Sequence, residues 1–126
     1  MARILICEDD PVFRGLVELA LSGRGHEVAC VEDGGEAVRR LAASSFDLLI
    51  TDILMPDRDG LEVIREMREG GARLPILAVT AGMPDIDGVL QTAARAMGAD
   101  EVLMKPVAIP TLIGRVDALL TPGNQA

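Results

Sequence analysis

Ile4-Leu5-Ile6-Cys7-Glu8-Asp9-Asp10 decides how this chain folds: four apolar residues run without a break into three carboxylates. A second stretch, Leu48-Leu49-Ile50-Thr51-Asp52, repeats the arrangement. Short continuous apolar runs of this kind suit strands buried on both faces, and such strands belong to parallel sheets. In an open parallel sheet, ligands bind in the crevice outside the carboxyl ends of the strands. Acid at the mouths of two buried strands therefore points to one shared site.

Working outward, strand-like runs alternate with helical stretches, the pattern of a parallel sheet with crossover helices, β-α repeated five times. The first strand covers about residues 3–7. Pro11 suits the first turn of a helix, along which Val12, Leu16, Leu19 and Ala20 recur at helical spacing until Ser22-Gly23. Gly25-His26 turns the chain into a strand at Glu27-Val28-Ala29-Cys30-Val31, and a helix follows from about Gly35 to Ala43 with Ala37, Val38 and Leu41 inward. Phe46-Asp47 leads into the third strand, which ends on Asp52. Beyond the loop from Ile53 to Gly60, Leu61, Ile64 and Met67 begin a third amphipathic helix that stops at Gly70-Gly71. Pro75 to Thr80 reads as the fourth strand, Ala81 to Gly88 as a longer loop, and Val89 to Met97 as a helix closed by Gly98. Glu101 to Met104 is a short fifth strand ending on Lys105-Pro106, and Ile109 to Leu120 is the last helix. The expected organisation is one domain over residues 1–121 and a flexible polar tail over 122–126.

Composition narrows the function. The 126 residues carry a formal net charge of -8, which opposes binding to a phosphate backbone,. Trp and Tyr are absent and there are two Phe, so stacking platforms for single strands are missing as well,. Direct nucleic-acid binding is not expected. The apolar stretches are of strand length, well below the roughly 18 consecutive residues of a membrane span, and Met1-Ala2-Arg3 leads directly into a strand rather than a signal sequence,. The expected location is the cytoplasm, away from membranes. Cys7 and Cys30 both sit inside apolar runs and read as small buried hydrophobes,.

The strand ends now bring four polar groups to one edge of the sheet: Glu8 and Asp9, Asp52, Thr80 and Lys105. Right-handed crossovers keep the strands parallel, so these side chains converge at the topological switch point. Carboxylates about 5 Å apart at an effective dielectric near 20 repel by roughly 3 kcal/mol per pair. Such a cluster needs a cation, and hard oxygen ligands with room for water suit Mg²⁺. Acids, a hydroxyl and a lysine together make a phosphoryl-transfer arrangement.

With these residues the chain resembles the receiver domain of bacterial two-component response regulators over essentially its full length. The resemblance rests on four motifs in order: Glu8-Asp9, the run Asp52-Ile53-Leu54-Met55-Pro56-Asp57-Arg58-Asp59-Gly60, Thr80-Ala81, and Lys105-Pro106. It implies an α/β, doubly wound, flavodoxin-like fold, a five-stranded parallel sheet in the order 2-1-3-4-5 flanked by five helices. It implies that Asp52 attacks a phosphohistidine and becomes an acyl phosphate. Asp9 matches the direct Mg²⁺ ligand and Glu8 its water-mediated neighbour, with Asp52 and the backbone carbonyl of Leu54 completing the set. Lys105 matches the lysine on the phosphoryl oxygens, Thr80 the hydroxyl that moves to them, and Pro106 a position that is usually cis. The implied partner is a sensor histidine kinase or histidine phosphotransfer protein; the downstream partner is not named by the sequence.

Other motifs carry plainer readings. Asp57-Arg58-Asp59-Gly60 looks like the start of a haloacid-dehalogenase or EF-hand motif, but Met55-Pro56 precedes it and Leu61 follows, so Asp59 reads as a helix cap,. Asp85-Ile86-Asp87-Gly88 lacks the ligands of a calcium loop and reads as loop and helix start,. Gly23-Arg24-Gly25 follows a helix, so it is no dinucleotide fingerprint. His26 lies at a turn away from the acids. Asp10 is open between a third metal-site acid and the cap of the helix at Pro11.

The chain departs from the family in several places. Val102 stands where many receivers carry a Tyr or Phe, and Val107 replaces a frequent Phe. Neither supplies a ring to follow the threonine. Leu54 and Gly82, two residues beyond Asp52 and Thr80, cannot orient a hydrolytic water through their side chains, so slow to moderate self-dephosphorylation is expected. The loop from Ala81 to Gly88 reads as about three residues longer than the family's and is expected to respond to phosphate. The leading expectation is a single-domain phosphoacceptor regulator, not an enzyme beyond promoting its own phosphorylation and dephosphorylation. A receiver belonging to a larger regulator or hybrid kinase is the alternative, and a small Mg²⁺-dependent phosphatase is a second. Asp52→Asn is expected to stabilise the metal-free protein and blunt its stabilisation by Mg²⁺.

Overall fold

The computed structural model describes residues 1–55, 59–81 and 88–121, together with the backbone of Asp87. The elements follow in strict alternation: β1 (Arg3–Cys7), α1 (Pro11–Gly23), β2 (Glu27–Val31), α2 (Gly34–Ala43), β3 (Leu48–Asp52), α3 (Gly60–Glu69), β4 (Ile76–Ala81), α4 (Asp87–Met97), β5 (Glu101–Lys105) and α5 (Ile109–Leu120). The strands form one five-stranded sheet in the order β2-β1-β3-β4-β5, with every adjacent pair parallel. The fold expected from the sequence is the fold observed.

The apolar runs are buried for the reason that made them readable. Alternate side chains of a strand face opposite sides, and both sides are covered. Leu5, Cys7, Leu49 and Ala78 pack with Ala37, Val63, Ile64 and Ala94 of α2, α3 and α4. Ile4, Ile6, Leu48, Ile50, Leu77 and Val79 pack with Val17, Leu21, Leu112 and Val116 of α1 and α5. Central β3 is buried along its whole length.

Carboxylates start three of the helices. Asp10 Oδ1 accepts from the Val12 amide at 3.0 Å, Asp33 Oδ1 from Glu36 at 2.8 Å and Asp59 Oδ1 from Glu62 at 2.9 Å. Each satisfies an amide that the helix itself leaves without a partner. Asp59 is therefore a cap, as expected, and Asp10 resolves to the capping alternative.

The structure chooses a face of α1 that helical spacing left open, and it corrects one boundary. Val12, Leu16 and Leu19 lie on the outside of α1, 70%, 50% and 72% exposed, while Phe13, Val17 and Leu21 face the sheet. Residues 12, 16, 19 and residues 13, 17, 21 both fit helical spacing, so α1 carries two apolar stripes and periodicity cannot choose between them. The loop expected from Ala81 to Gly88 is also shorter. Ala81 pairs with Lys105 and extends β4, and α4 begins at Asp87. Residues 82–86, including Gly82, Pro84 and the first part of Asp85-Ile86-Asp87-Gly88, lie outside the described residues, as do Pro56, Asp57, Arg58 and the tail 122–126.

Candidate functional site

The carboxyl ends of β1, β3, β4 and β5 meet at one edge, where the sheet order turns from β1 outward to β2 on one side and β3 on the other. Glu8 leaves β1 with 2% of its surface exposed, and Asp52 closes β3 at 6%. Asp9 faces outward. One oxygen from each of Glu8, Asp9 and Asp52 lies within 4.8 Å of the others, a group able to hold a metal ion. The predicted acids are thus brought together.

Lys105, the last residue of β5, reaches into this cluster. Its Nζ lies 2.8 Å from Glu8 Oε1 and 3.1 Å from Asp52 Oδ2. The Lys105–Pro106 peptide bond is cis, as the resemblance implied. Asp52 Oδ1 accepts from the Leu54 amide at 3.2 Å, which ties Leu54 to the site through its backbone while its side chain is exposed. Thr80 stands one register position before the Ala81–Lys105 pair. Its side chain is fully buried, and its hydroxyl is the one buried side-chain polar atom without a hydrogen-bond partner among the described residues.

Burial outweighs every other influence on Glu8 and pushes its carboxyl up to about 7, against the lowering effect of the Lys105 hydrogen bond,. Burial alone would depress Lys105, but its hydrogen bond to Glu8 and the charge of Asp52 hold the ammonium above its ordinary value. The thiols behave as structural groups. Burial pushes Cys7 up to about 12 and Cys30 to about 11, so neither presents a thiolate at neutral pH.

The backbone of Asp52 is pinned from the next helix. Gly60 opens α3 with its amide on the Ile53 carbonyl at 2.8 Å, so close that a Cβ there would lie 2.2 Å from the Asp52 carbonyl oxygen. His26 stays at the far end of the sheet, where Nδ1 accepts from the Ala2 amide. Val102 is buried in the core beside α4 and Val107 is half-buried near α5.

Two neighbours escaped the sequence reading. Arg14 Nη1 donates to the Glu8 carbonyl at 2.9 Å, and the Phe13 ring lies under Lys105 with Nζ 4.8 Å from its centroid. Both belong to α1. The only available signal was their place one turn after the strand-end acids, which does not distinguish them from other helical residues.

A five-stranded sheet in this order, with an acid cluster and a lysine at its carboxyl edge, defines the receiver class. The profile of the response regulator receiver domain matches residues 4–117, and the chain belongs to that family. It is 41% identical over 119 residues to the response regulator MprA of Mycobacterium ulcerans, covering 94% of this chain and 50% of that protein. The chain spans about half the length of the curated relatives it matches. Among solved structures, the response regulator TrrA of Thermotoga maritima in complex with Mg²⁺-BeF superposes with a TM-score of 0.82 at 33% identity, covering 95% of this chain and 100% of that one. The receiver domain of a signal transduction histidine kinase from Syntrophus aciditrophicus gives 0.86 at 31% identity, covering 96% and 91%. Among the described residues, no helix is long and apolar enough to cross a membrane.

Proposed function

We propose that Asp52 is a Mg²⁺-dependent phosphoacceptor, charged by a phosphohistidine on a sensor histidine kinase or histidine phosphotransfer protein. The observation that carries this reading is the contact of Lys105 with both Glu8 and Asp52 inside a three-carboxylate cluster. The donor set fits the metal: hard oxygens, two of them buried, and one exposed acid that leaves the site open to water,. Glu8, Asp9, Asp52 and the Leu54 carbonyl would hold the ion. When bound, Mg²⁺ supplies positive charge against the phosphoryl oxygens.

The chain's own groups then divide the work. An Asp52 carboxylate oxygen forms the new bond to phosphorus as the P–N bond to the donor imidazole breaks, and the electron pair leaves with the imidazole nitrogen. Lys105 turns from its carboxylates to the phosphoryl oxygens. The Thr80 hydroxyl, buried without a partner, donates to another of them. Val102 and Val107 offer no ring to follow that movement, so the signal passes to a downstream protein through backbone shifts around β4 and α4. Leu54 cannot orient an attacking water, and the acyl phosphate outlasts a few seconds.

Residues 1–121 form the receiver. The receiver promotes its own phosphorylation and dephosphorylation, and its place of work is the cytoplasm. The half-length match to MprA supports the alternative of a receiver within a longer regulator. Incubation with acetyl phosphate and Mg²⁺ tests the reading. One acid-stable, alkali-labile adduct per chain on Asp52, absent from Asp52→Asn, is expected; steady release of many equivalents of phosphate would instead identify a phosphatase.

A further inference from the structure

Lys105 faces anions on one side and a ring on the other. Its Nζ lies against Glu8 and Asp52 and 4.8 Å from the centroid of Phe13. That ring is half-buried and packed against the core between α1, α5 and the sheet, so it is held in place. The chain has two Phe and neither Trp nor Tyr, and both Phe rings lie against cations, the second beneath Arg3. Only the Phe13 ring reaches a group in the acid cluster.

A cation over a ring face is attracted by the ring's quadrupole, more strongly where water is excluded. This attraction does not depend on which anion the cation is paired with. Lys105 needs such a partner, because both carboxylates that hold it belong to the set that would bind a metal. Once those oxygens turn to a divalent cation, the flexible four-carbon stem of the lysine is released from them. The ring remains, held by its packing against the core rather than by the carboxylate oxygens that would turn to the metal.

We infer that Phe13 is a positioning residue for Lys105, its ring holding the ammonium over the site while that ammonium exchanges the carboxylates for the phosphoryl group on Asp52. This rests on the phosphoacceptor reading above. Phe13 touches no reacting atom; it acts through the lysine. The cleft beside the ring, lined by Asp10, Phe13, Ala81, Lys105, Pro106 and Val107, is open, so a hydroxyl added at the ring edge has room.

The test compares the full chain with Phe13→Leu and Phe13→Tyr. With acetyl phosphate at saturating Mg²⁺, Phe13→Leu should lose about three- to tenfold in the rate of Asp52 phosphorylation, the order expected for one cation–π contact. Phe13→Tyr should keep the wild-type rate, and Mg²⁺ should bind all three equally. Nuclear magnetic resonance supplies a signature that a packing role would not move: the upfield shift of the Lys105 Hε protons by the ring should persist in wild type and Phe13→Tyr after Asp52 is phosphorylated with Mg²⁺ present, when the carboxylates no longer hold the ammonium, and these protons should take ordinary positions in Phe13→Leu. If Phe13→Leu does not fold, Phe13→Met removes the ring in its place. An unshifted Lys105 resonance in wild type, or an unchanged rate without the ring, overturns the inference. A wild type that gains no adduct at all overturns the phosphoacceptor reading and the inference with it.

Discussion

Lys105 is one ammonium between two buried carboxylates, and this changes what removal of Asp52 should do. At an effective dielectric near 20 its contact with Asp52 at 3.1 Å is worth about 5 kcal/mol, and each carboxylate within 4.8 Å repels Asp52 by about 3 kcal/mol,. Asp9 is exposed, so water screens its share,. Unscreened, the two repulsions exceed the attraction by only about 1 kcal/mol, and screening of Asp9 removes that margin, so Asp52→Asn should leave the stability of the metal-free protein within about 1 kcal/mol of wild type instead of raising it as repulsion alone would. It should also shrink the rise in melting temperature on adding Mg²⁺; equal rises in wild type and mutant would place the metal elsewhere. Glu8 provides a pH test. Its folded-state carboxyl, at about 7, lies above its ordinary value of 4.5, so between those values the folded chain binds more protons than the unfolded one. Its contribution is complete below about 4.5 and is lost as pH rises through about 7. Urea titrations in chelator should show stability falling over that window, with a shallower fall in Glu8→Gln.

At the scale of elements, α3 and α1 answer different questions. Gly60 lets the start of α3 close on the end of β3, and the Cβ of an alanine would meet backbone atoms at 2.2 and 2.8 Å. Backbone cannot yield as a side-chain tip can. Gly60→Ala should cost about 3 kcal/mol in urea denaturation, comparable to severe overpacking, and should weaken the Mg²⁺ response by displacing Asp52. On α1 the outer stripe behaves oppositely. Leu16→Glu and Leu19→Glu should each change stability by less than about 0.5 kcal/mol because both side chains already face water,. Val17→Ala, on the inner stripe, should cost about 2 kcal/mol. The element boundaries were legible where burial is two-sided, as in β1 and β3, whose apolar runs end on acids. They were less legible at the end of β4, since only pairing with Lys105 makes Ala81 part of a strand.

In the whole molecule the sheet separates two apolar layers, one beneath α2, α3 and α4 and the other beneath α1 and α5. Every strand of β1, β3 and β4 contributes to both, so neither layer can empty without exposing the other face. Unfolding should be a single cooperative transition, with circular dichroism and amide resonances from the two layers giving the same midpoint; separate midpoints would show that the layers unfold apart. The chain lacks Trp and Tyr, so these probes replace fluorescence. By itself the sequence determined the alternation of strands and helices, the acids at two strand ends and the place of Thr80 and Lys105 along the chain. Those features are local, set by apolar runs, caps and turns within a few residues. Only the tertiary structure decided which stripe of α1 faces inward, how far β4 extends, and that Lys105 lies between Glu8, Asp52 and the ring of Phe13. Residues 13, 52 and 105 come from three elements and residue 8 from the end of a fourth, and their distances depend on how those elements pack rather than on any pattern within one of them.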